Sequence, residues 1–146
     1  MGVVLHGPGE GERHAVGPAE VVIKATGEET GGGLFLSEAM LPAGMPGPPP
    51  HRHERMTDMF YVLEGTLTVL VGEESHDLHA GSFVAAPPGT VHTFRNDSDA
   101  QVRFLNMSTP GGWEHYMRDV SEAAAANGMS PELIESLSKR HDVQLA

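Results

Sequence analysis

Three histidines and one aspartate stand at spacings that suit a metal ion. His51 and His53 are two residues apart, and an extended strand places residues i and i+2 on the same face. Asp58 follows on the same stretch, and His92 lies on a later one. Neutral imidazole and carboxylate are ligands of first-row divalent ions, so this set predicts one bound ion, such as Zn, Fe, Ni, Mn or Cu.

Short strands and tight turns must position these four residues. Apolar and β-branched runs bounded by glycine and proline predict strands at 21–26, 34–41, 59–64, 66–71, 75–79, 82–86, 90–96 and 101–108. Strands of this length and spacing are typical of an all-β sandwich or barrel. Beyond them, apolar residues recur at three- and four-residue steps over 113–126, and a second helix is predicted to start at Ser130 and Pro131.

The chain is predicted to form one domain with three parts. Residues 1–19 contain five glycines and two prolines and are predicted to be an irregular arm. Residues 20–108 form the β-barrel, and residues 109–146 form a C-terminal segment with two short helices. A single domain of this size can bury one hydrophobic core.

Two motifs in this chain resemble those of the cupins. In the first, His51-x-His53 is followed by four residues, Asp58, six residues and Gly65. In the second, the typed positions match at every step: Gly81, Pro87, Gly89, His92 and Asn96. The resemblance implies a jelly-roll β-barrel of the single-domain, metal-binding kind, with one divalent ion on His51, His53, Asp58 and His92.

Two positions depart from the cupin pattern. Met45 occupies the place of a leading glycine, although Gly44 and Gly47 flank it and could serve the same loop. Asp58 replaces a glutamate and is one methylene shorter, so it is either the fourth ligand or a neighbouring carboxylate that orients a histidine. If Asp58 does not reach the ion, His115 is the best substitute ligand.

Among the single-domain cupins, the chain resembles aromatic polyketide cyclases and flavonol dioxygenases. In those dioxygenases the motif's glutamate is a metal ligand and a base, so Asp58 at this position favours a cyclase that uses its ion as a non-redox Lewis acid, with zinc the favoured metal. Asp58 is then also the candidate catalytic residue. A flavonol dioxygenase and a small-molecule-binding protein without turnover are the alternatives.

Three apolar residues share strand faces with the candidate ligands. Phe60 and Val62 are two and four residues after Asp58, and Phe94 is two residues after His92. Because strand side chains alternate, Phe60 and Val62 point to the same side as Asp58, and Phe94 points to the same side as His92. They are predicted to line an apolar substrate pocket above the ion, to fill the barrel core, or to do both with different atoms.

Charge and composition narrow the possible partners. The net charge of -11, from 20 acidic against 9 basic residues, disfavours nucleic acid, and the absence of cysteine excludes a thiolate metal site. No apolar stretch is long enough to cross a membrane, and we expect a cytoplasmic protein that acts on a small molecule. We also expect a homodimer, in which the arm and the strand at 21–25 join a neighbour's sheet; the alternative is a monomer whose arm covers its own sheet edge.

Overall fold

The computed structural model describes residues 2–146 as two antiparallel β-sheets packed face to face, with two helices. The strands are β1 (Glu12–Val16), β2 (Ala19–Ala25), β3 (Phe35–Leu41), β4 (His51–Arg52), β5 (Thr57–Glu64), β6 (Thr66–Val71), β7 (Glu74–His79), β8 (Phe83–Ala86), β9 (His92–Arg95), β10 (Val102–Thr109) and β11 (Gln144–Leu145). One sheet has the order β1-β2-β3-β10-β5-β8, and the other has the order β11-β4-β9-β6-β7. The predicted all-β sandwich with two C-terminal helices is confirmed.

The hydrophobic core lies between the two sheets because the strands alternate. In β5, Asp58, Phe60 and Val62 point inward, whereas Tyr61 is exposed. Phe104 of β10 meets Phe60 with ring centroids 6.0 Å apart. Burying side chains of this size contributes about 1.5–3 kcal/mol each to folding. The same alternation therefore builds the core and points Asp58 toward the interior.

The N-terminal arm is more regular than predicted. Residues 12–16 form strand β1, which pairs with β2 from Glu12 opposite Ile23 to Val16 opposite Ala19. The prediction of an irregular segment is wrong for these residues. Although glycines flank them, their side chains alternate between half-buried and exposed, as those of a strand paired with β2 do. β2 pairs with β1 on one side and with β3 on the other, so it has no free edge within this chain; that the arm and the segment at 21–25 join a neighbour's sheet stays a prediction.

Both predicted helices are present and pack onto the sandwich. Helix α1 spans Trp113–Asn127, and helix α2 spans Pro131–Ser138 with the Ser130 hydroxyl accepting a hydrogen bond from the Leu133 amide. The fully buried carboxylate of Glu114 accepts hydrogen bonds from the Gly27 and Gly112 amides, at 2.8 and 3.0 Å. These bonds fix the start of α1 on the turn after β2, and Trp113 packs against the core.

The chain after α2 returns to the histidine-bearing strand. We call residues 139–146 the C-terminal strap. Its strand β11 pairs with β4, with Leu145 opposite His51, and the Ala146 amide donates to the Pro50 carbonyl at 3.0 Å. No strand was predicted in this segment, since two residues of strand leave no periodicity to detect.

Candidate metal centre

The four predicted ligands lie together in the interior. His51 on β4 is directly opposite His92 on β9, His53 follows β4, and Asp58 points in from β5. One ligand atom from each residue lies within 4.8 Å of the others, and all four residues are at most 7% exposed. Residues that are far apart in the sequence thus form one compact, buried set of three nitrogen donors and one oxygen donor.

Each of the three imidazoles is anchored through Nδ1 to a main-chain carbonyl. The acceptors are Pro49 for His51 at 2.8 Å, Thr90 for His92 at 2.9 Å, and Asp142 in the C-terminal strap for His53 at 2.5 Å. Because a carbonyl only accepts, each Nδ1 must carry the hydrogen, and in the neutral ring Nε2 then keeps its lone pair. This orients all three Nε2 atoms as metal donors.

The Nε2 atoms meet the carboxylate of Asp58. Its Oδ2 lies 2.9 Å from His92 Nε2 and 3.5 Å from His53 Nε2, while its Oδ1 accepts a hydrogen bond from Asn106 Nδ2 at 2.7 Å. Among the described residues, the buried His53 Nε2 has no hydrogen-bond partner. A proton on one imidazole or a bound cation would satisfy the Nε2 lone pairs and the carboxylate oxygen that face one another here. A divalent ion fits this donor set.

The protonation states of the site act on metal binding in two directions. Burial lowers the pKa of His51 to about 4, so this ring is neutral at physiological pH. Burial raises the pKa of Asp58, but the imidazoles of His53 and His92 outweigh it and hold the pKa below its ordinary range. For His92, burial lowers the pKa, but the hydrogen bond to Asp58 outweighs burial and raises it. A proton on His92 and a metal ion therefore compete for the same place beside Asp58.

The remaining histidines lie outside this set. His115 is 55% exposed, and its Nε2 lies 3.9 Å from Glu28 Oε1 on the surface. The structure therefore does not bring it to the other ligands, and its role as a substitute ligand is wrong. Asp58, whose reach was in question, does lie among the histidines, and its role as a ligand or a base stays a prediction.

The three predicted pocket residues belong to the closed core in this structure. Phe60 and Val62 are 1% and 0% exposed, and the rings of Phe60 and the half-buried Phe94 lie 5.4 Å apart. Filling the core was one of the two roles predicted for them, and lining a pocket stays a prediction. A cleft of about 310 Å³ opens elsewhere, between the start of α1, the loop after His53 and the C-terminal strap.

Sequence reasoning missed three residues that support the site. Asn106 holds Asp58, Asp142 holds His53, and the Trp113 ring lies edge-on to the His53 ring with centroids 5.2 Å apart. Asn106 could have been noticed as a polar residue that shares the inward face of β10 with Phe104. Asp142 leaves no such signal, because it holds the His53 ring through its main-chain carbonyl.

Comparison with known proteins gives the class to which the chain belongs. Residues 37–108 match the cupin domain family Cupin_2, and this chain is a cupin-domain protein. The chain is 31% identical to quercetin 2,3-dioxygenase of Bacillus subtilis over 114 residues, which are 78% of this chain. It spans 33%, about a third, of the length of that relative.

Solved structures agree on the fold. KdgF from Halomonas sp. superposes with a TM-score of 0.67 at 21% identity, covering 79% of this chain and 99% of that one. The polyketide cyclase RemF from Streptomyces resistomycificus gives 0.61 at 19% identity, covering 74% and 79% of the two chains. At these identities the likeness concerns the fold alone. Neither helix is long and apolar enough to span a membrane within the described chain, and the cytoplasmic location stays a prediction.

Proposed function

We propose that this protein is a metal-dependent enzyme that acts on a hydrophobic aromatic or polyketide-like small molecule, and that its reaction is a ring closure of the polyketide-cyclase type. His51, His53, His92 and Asp58 would hold the divalent ion. The observation that carries the proposal is the buried Nε2 of His53, which faces the ionised Asp58 without a hydrogen-bond partner among the described residues. A Lewis-acid cofactor supplies the missing positive charge.

The chemistry divides between the ion and Asp58. When bound, a divalent ion polarises a carbonyl oxygen of the substrate and stabilises the negative charge that develops there by several kcal/mol. Asp58 is the group able to take the proton from the carbon beside that carbonyl. Its Oδ1 is engaged by Asn106 and its Oδ2 lies 2.9 Å from His92 Nε2, so Asp58 would take this proton on Oδ2 only where that oxygen does not bind the ion directly. The Nδ1 anchors hold the imidazoles still while this proton moves.

Zinc is the metal that we propose. The site offers imidazole and carboxylate and lacks thiolate, which suits Zn²⁺, and the proposed reaction requires no change of oxidation state. Elemental analysis of the purified protein tests this directly, with one equivalent of zinc expected. Iron, nickel, manganese or copper at one equivalent would contradict zinc and favour oxygen chemistry.

A flavonol dioxygenase is the second candidate, and one observation favours it. The 31% identity to quercetin 2,3-dioxygenase of Bacillus subtilis covers most of this chain. The same four residues would hold a redox-active ion in that case. The shorter Asp58 in place of the motif's glutamate is the feature that argues for the cyclase instead.

One assay separates the candidates. The metal-loaded protein is incubated with a flavonol and, separately, with a poly-β-ketone surrogate, each with and without oxygen. We expect oxygen-independent ring closure of the poly-β-ketone, abolished in His92→Ala and retained in the exposed-histidine control His79→Ala. Oxygen-dependent loss of the flavonol would favour the dioxygenase, and tight binding without turnover would favour a non-catalytic binding protein.

We further propose that the protein is a homodimer that uses the β8 edge of its larger sheet. Tyr61 and Phe83 are directly opposite each other there and are 38% and 54% exposed. Exposed aromatic residues beside an unpaired strand edge favour association with a second copy. Light scattering should give twice the chain mass of 15.6 kDa, and Phe83→Ser should shift it toward the monomer. A mass of 15.6 kDa at every concentration would contradict the dimer.

A further inference from the structure

The cleft of about 310 Å³ lies against the metal centre. Trp113, which borders the cleft, also contacts the ring of His53. Asp142 borders it too, and its carbonyl accepts the hydrogen bond from His53 Nδ1. A molecule bound in this cleft would therefore sit next to residues that contact a metal ligand, and the volume suits a small organic molecule.

Two arginines in the cleft lack the carboxylate partners that most basic residues of this chain have. Arg13, Arg95, Arg103, Arg118 and Lys139 all form ion pairs. Arg55 and Arg140 both border the cleft, and neither pairs with a carboxylate within residues 2–146. In a chain with 20 acidic residues and a net charge of -11, two unpaired guanidinium groups beside one cleft indicate a site for an anion.

The acidic side chain that borders the cleft, Asp142, is already hydrogen-bonded to the main chain. The Asp142 carboxylate accepts hydrogen bonds from the Glu54 amide at 2.7 Å and the Arg55 amide at 3.1 Å. It therefore caps the loop after His53. The guanidinium groups of Arg55 and Arg140 keep their donors for a ligand.

An aromatic wall forms another side of the cleft. The rings of Trp113 and Tyr116 stack with centroids 4.3 Å apart and planes 20° apart. Both border the cleft and are only partly buried. Aromatic rings of this kind favour contact with a planar aromatic group.

We infer that this cleft binds an aromatic carboxylate, with the acid group on Arg55 and Arg140 and the ring against Trp113 and Tyr116. The inference rests on the proposed function, because it assigns an acidic group to the aromatic substrate of the same centre. Guanidinium binds carboxylate through paired hydrogen bonds, whereas the uncharged amide of the same shape lacks this interaction. The cleft thus selects for charge as well as for planarity.

The test compares 2-naphthoate with 2-naphthamide, which have the same ring and nearly the same shape. Calorimetry measures both affinities, and the naphthoate is expected to bind at least tenfold more tightly. Trp113 is the chain's single tryptophan, so the one indole N–H resonance reports occupancy of the cleft without optical interference. That resonance should shift on titration.

Three arginine variants locate the charge contact. Arg55→Gln and Arg140→Gln should each weaken naphthoate binding about tenfold and leave naphthamide binding unchanged, in line with the loss of a charge-assisted hydrogen bond. Arg52→Gln is the matched control, because Arg52 is also exposed and without an ion pair among the described residues but does not border the cleft. It should change neither affinity by more than about twofold.

Removal of the metal with a chelator separates this inference from the proposed function. Naphthoate should still bind the metal-free protein through the arginines, even if no turnover is ever found. Any of three results would overturn the inference. Naphthoate and naphthamide could bind equally well, or Arg55→Gln and Arg140→Gln could bind naphthoate as Arg52→Gln does. Naphthoate binding could also be lost on removal of the metal while the arginine substitutions leave it unchanged. The last result would assign the acid group to the ion instead.

Discussion

Two regions of this molecule carry closely spaced histidines, and they differ in what surrounds the rings. His51 on β4 and His53 just after it are buried, and their Nδ1 atoms donate hydrogen bonds to main-chain carbonyls; β4 lies between β11 and β9 in its sheet. His76 and His79 lie on β7 at the edge of the same sheet, where the whole strand is exposed except Leu78, which is half-buried. His76 merely approaches Glu74 at 3.2 Å, and His79 approaches Thr66 at 3.2 Å.

The difference shows that a histidine becomes a candidate ligand through burial and an anchored Nδ1. Spacing contributes as well. Histidines two residues apart on a strand point to the same face, as His51 and His53 do, whereas histidines three residues apart, such as His76 and His79, point to opposite faces. In the exposed region the His76 and His79 rings face side chains or solvent, and their nitrogen atoms do not converge on one position. In the buried region three Nε2 atoms and Asp58 converge.

The strongest test of this comparison replaces histidines in both regions. We expect His53→Ala and His92→Ala to lose more than about 100-fold in metal affinity, since each removes a direct donor and leaves a gap that the buried site cannot fill. His76→Ala and His79→Ala should bind the metal as the unaltered protein does. Elemental analysis after dialysis measures the stoichiometry, and one full equivalent retained by His92→Ala would refute the site.

Asp58→Asn should have the next largest effect. The amide has the same shape but no charge, so metal affinity should fall about 100-fold if Oδ2 binds the ion directly. Competition with a chromophoric chelator gives the affinity. A loss of less than about tenfold would instead place a water molecule between Asp58 and the ion.

Asn106→Ala should have a smaller effect on the same carboxylate. Asn106 holds Asp58 Oδ1 at 2.7 Å, and removal of such an orienting partner costs about 10–100-fold in metal affinity; we expect the lower end because Oδ2 keeps its position beside His92. The exposed Asn127 offers a control, Asn127→Ala, that should be neutral. Equal affinities for both variants in the chelator competition would show that Asp58 needs no support from Asn106.

A surface carboxylate should give the smallest effect. The hydrogen bond from Arg118 outweighs burial and lowers the pKa of Glu12 to about 2, so the stability due to Glu12 is present above pH 4.5 and is lost as the pH falls toward 2. Because Glu12 is 40% exposed, Arg118→Gln should cost less than about 1 kcal/mol at pH 7. The free energies of unfolding of the two proteins, measured with urea at pH 7 and pH 3, should differ less at pH 3. A constant difference would mean that Arg118 acts through packing.

The convergence of the four candidate ligands could be predicted because their positions follow from local geometry and from the motif offsets. A strand repeats every two residues, so His51 and His53 had to share a face, and the offsets of the cupin motifs linked them to Asp58 and His92. Gly47 was also expected to serve the loop in which Met45 replaces a glycine. A side chain on Gly47 would place its Cβ 1.4 Å from the Phe94 carbonyl oxygen, so this loop tolerates no larger residue there.

The supports of the site could not be predicted in the same way. Asp142 meets His53 from 89 positions further along the chain, and Asn106 meets Asp58 from 48 positions away. Such pairings depend on how the C-terminal strap and β10 pack, and no local periodicity encodes them. Strand β1 was hidden for a related reason, because its short polar sequence acquires its conformation from pairing with β2.

The anchoring of the imidazoles by main-chain carbonyls hides part of the outer layer of this centre from alanine scanning. Replacing the side chain of Pro49 or Thr90 leaves its carbonyl in place, whereas replacing that of Asp142 also removes the hydrogen bonds from the Glu54 and Arg55 amides, so its carbonyl cannot be tested separately in this way. Replacing the peptide bond after Asp142 by an ester would weaken its carbonyl as an acceptor and expose that role. In this protein the basicity of the ligands is therefore tuned by the path of the backbone through its turns.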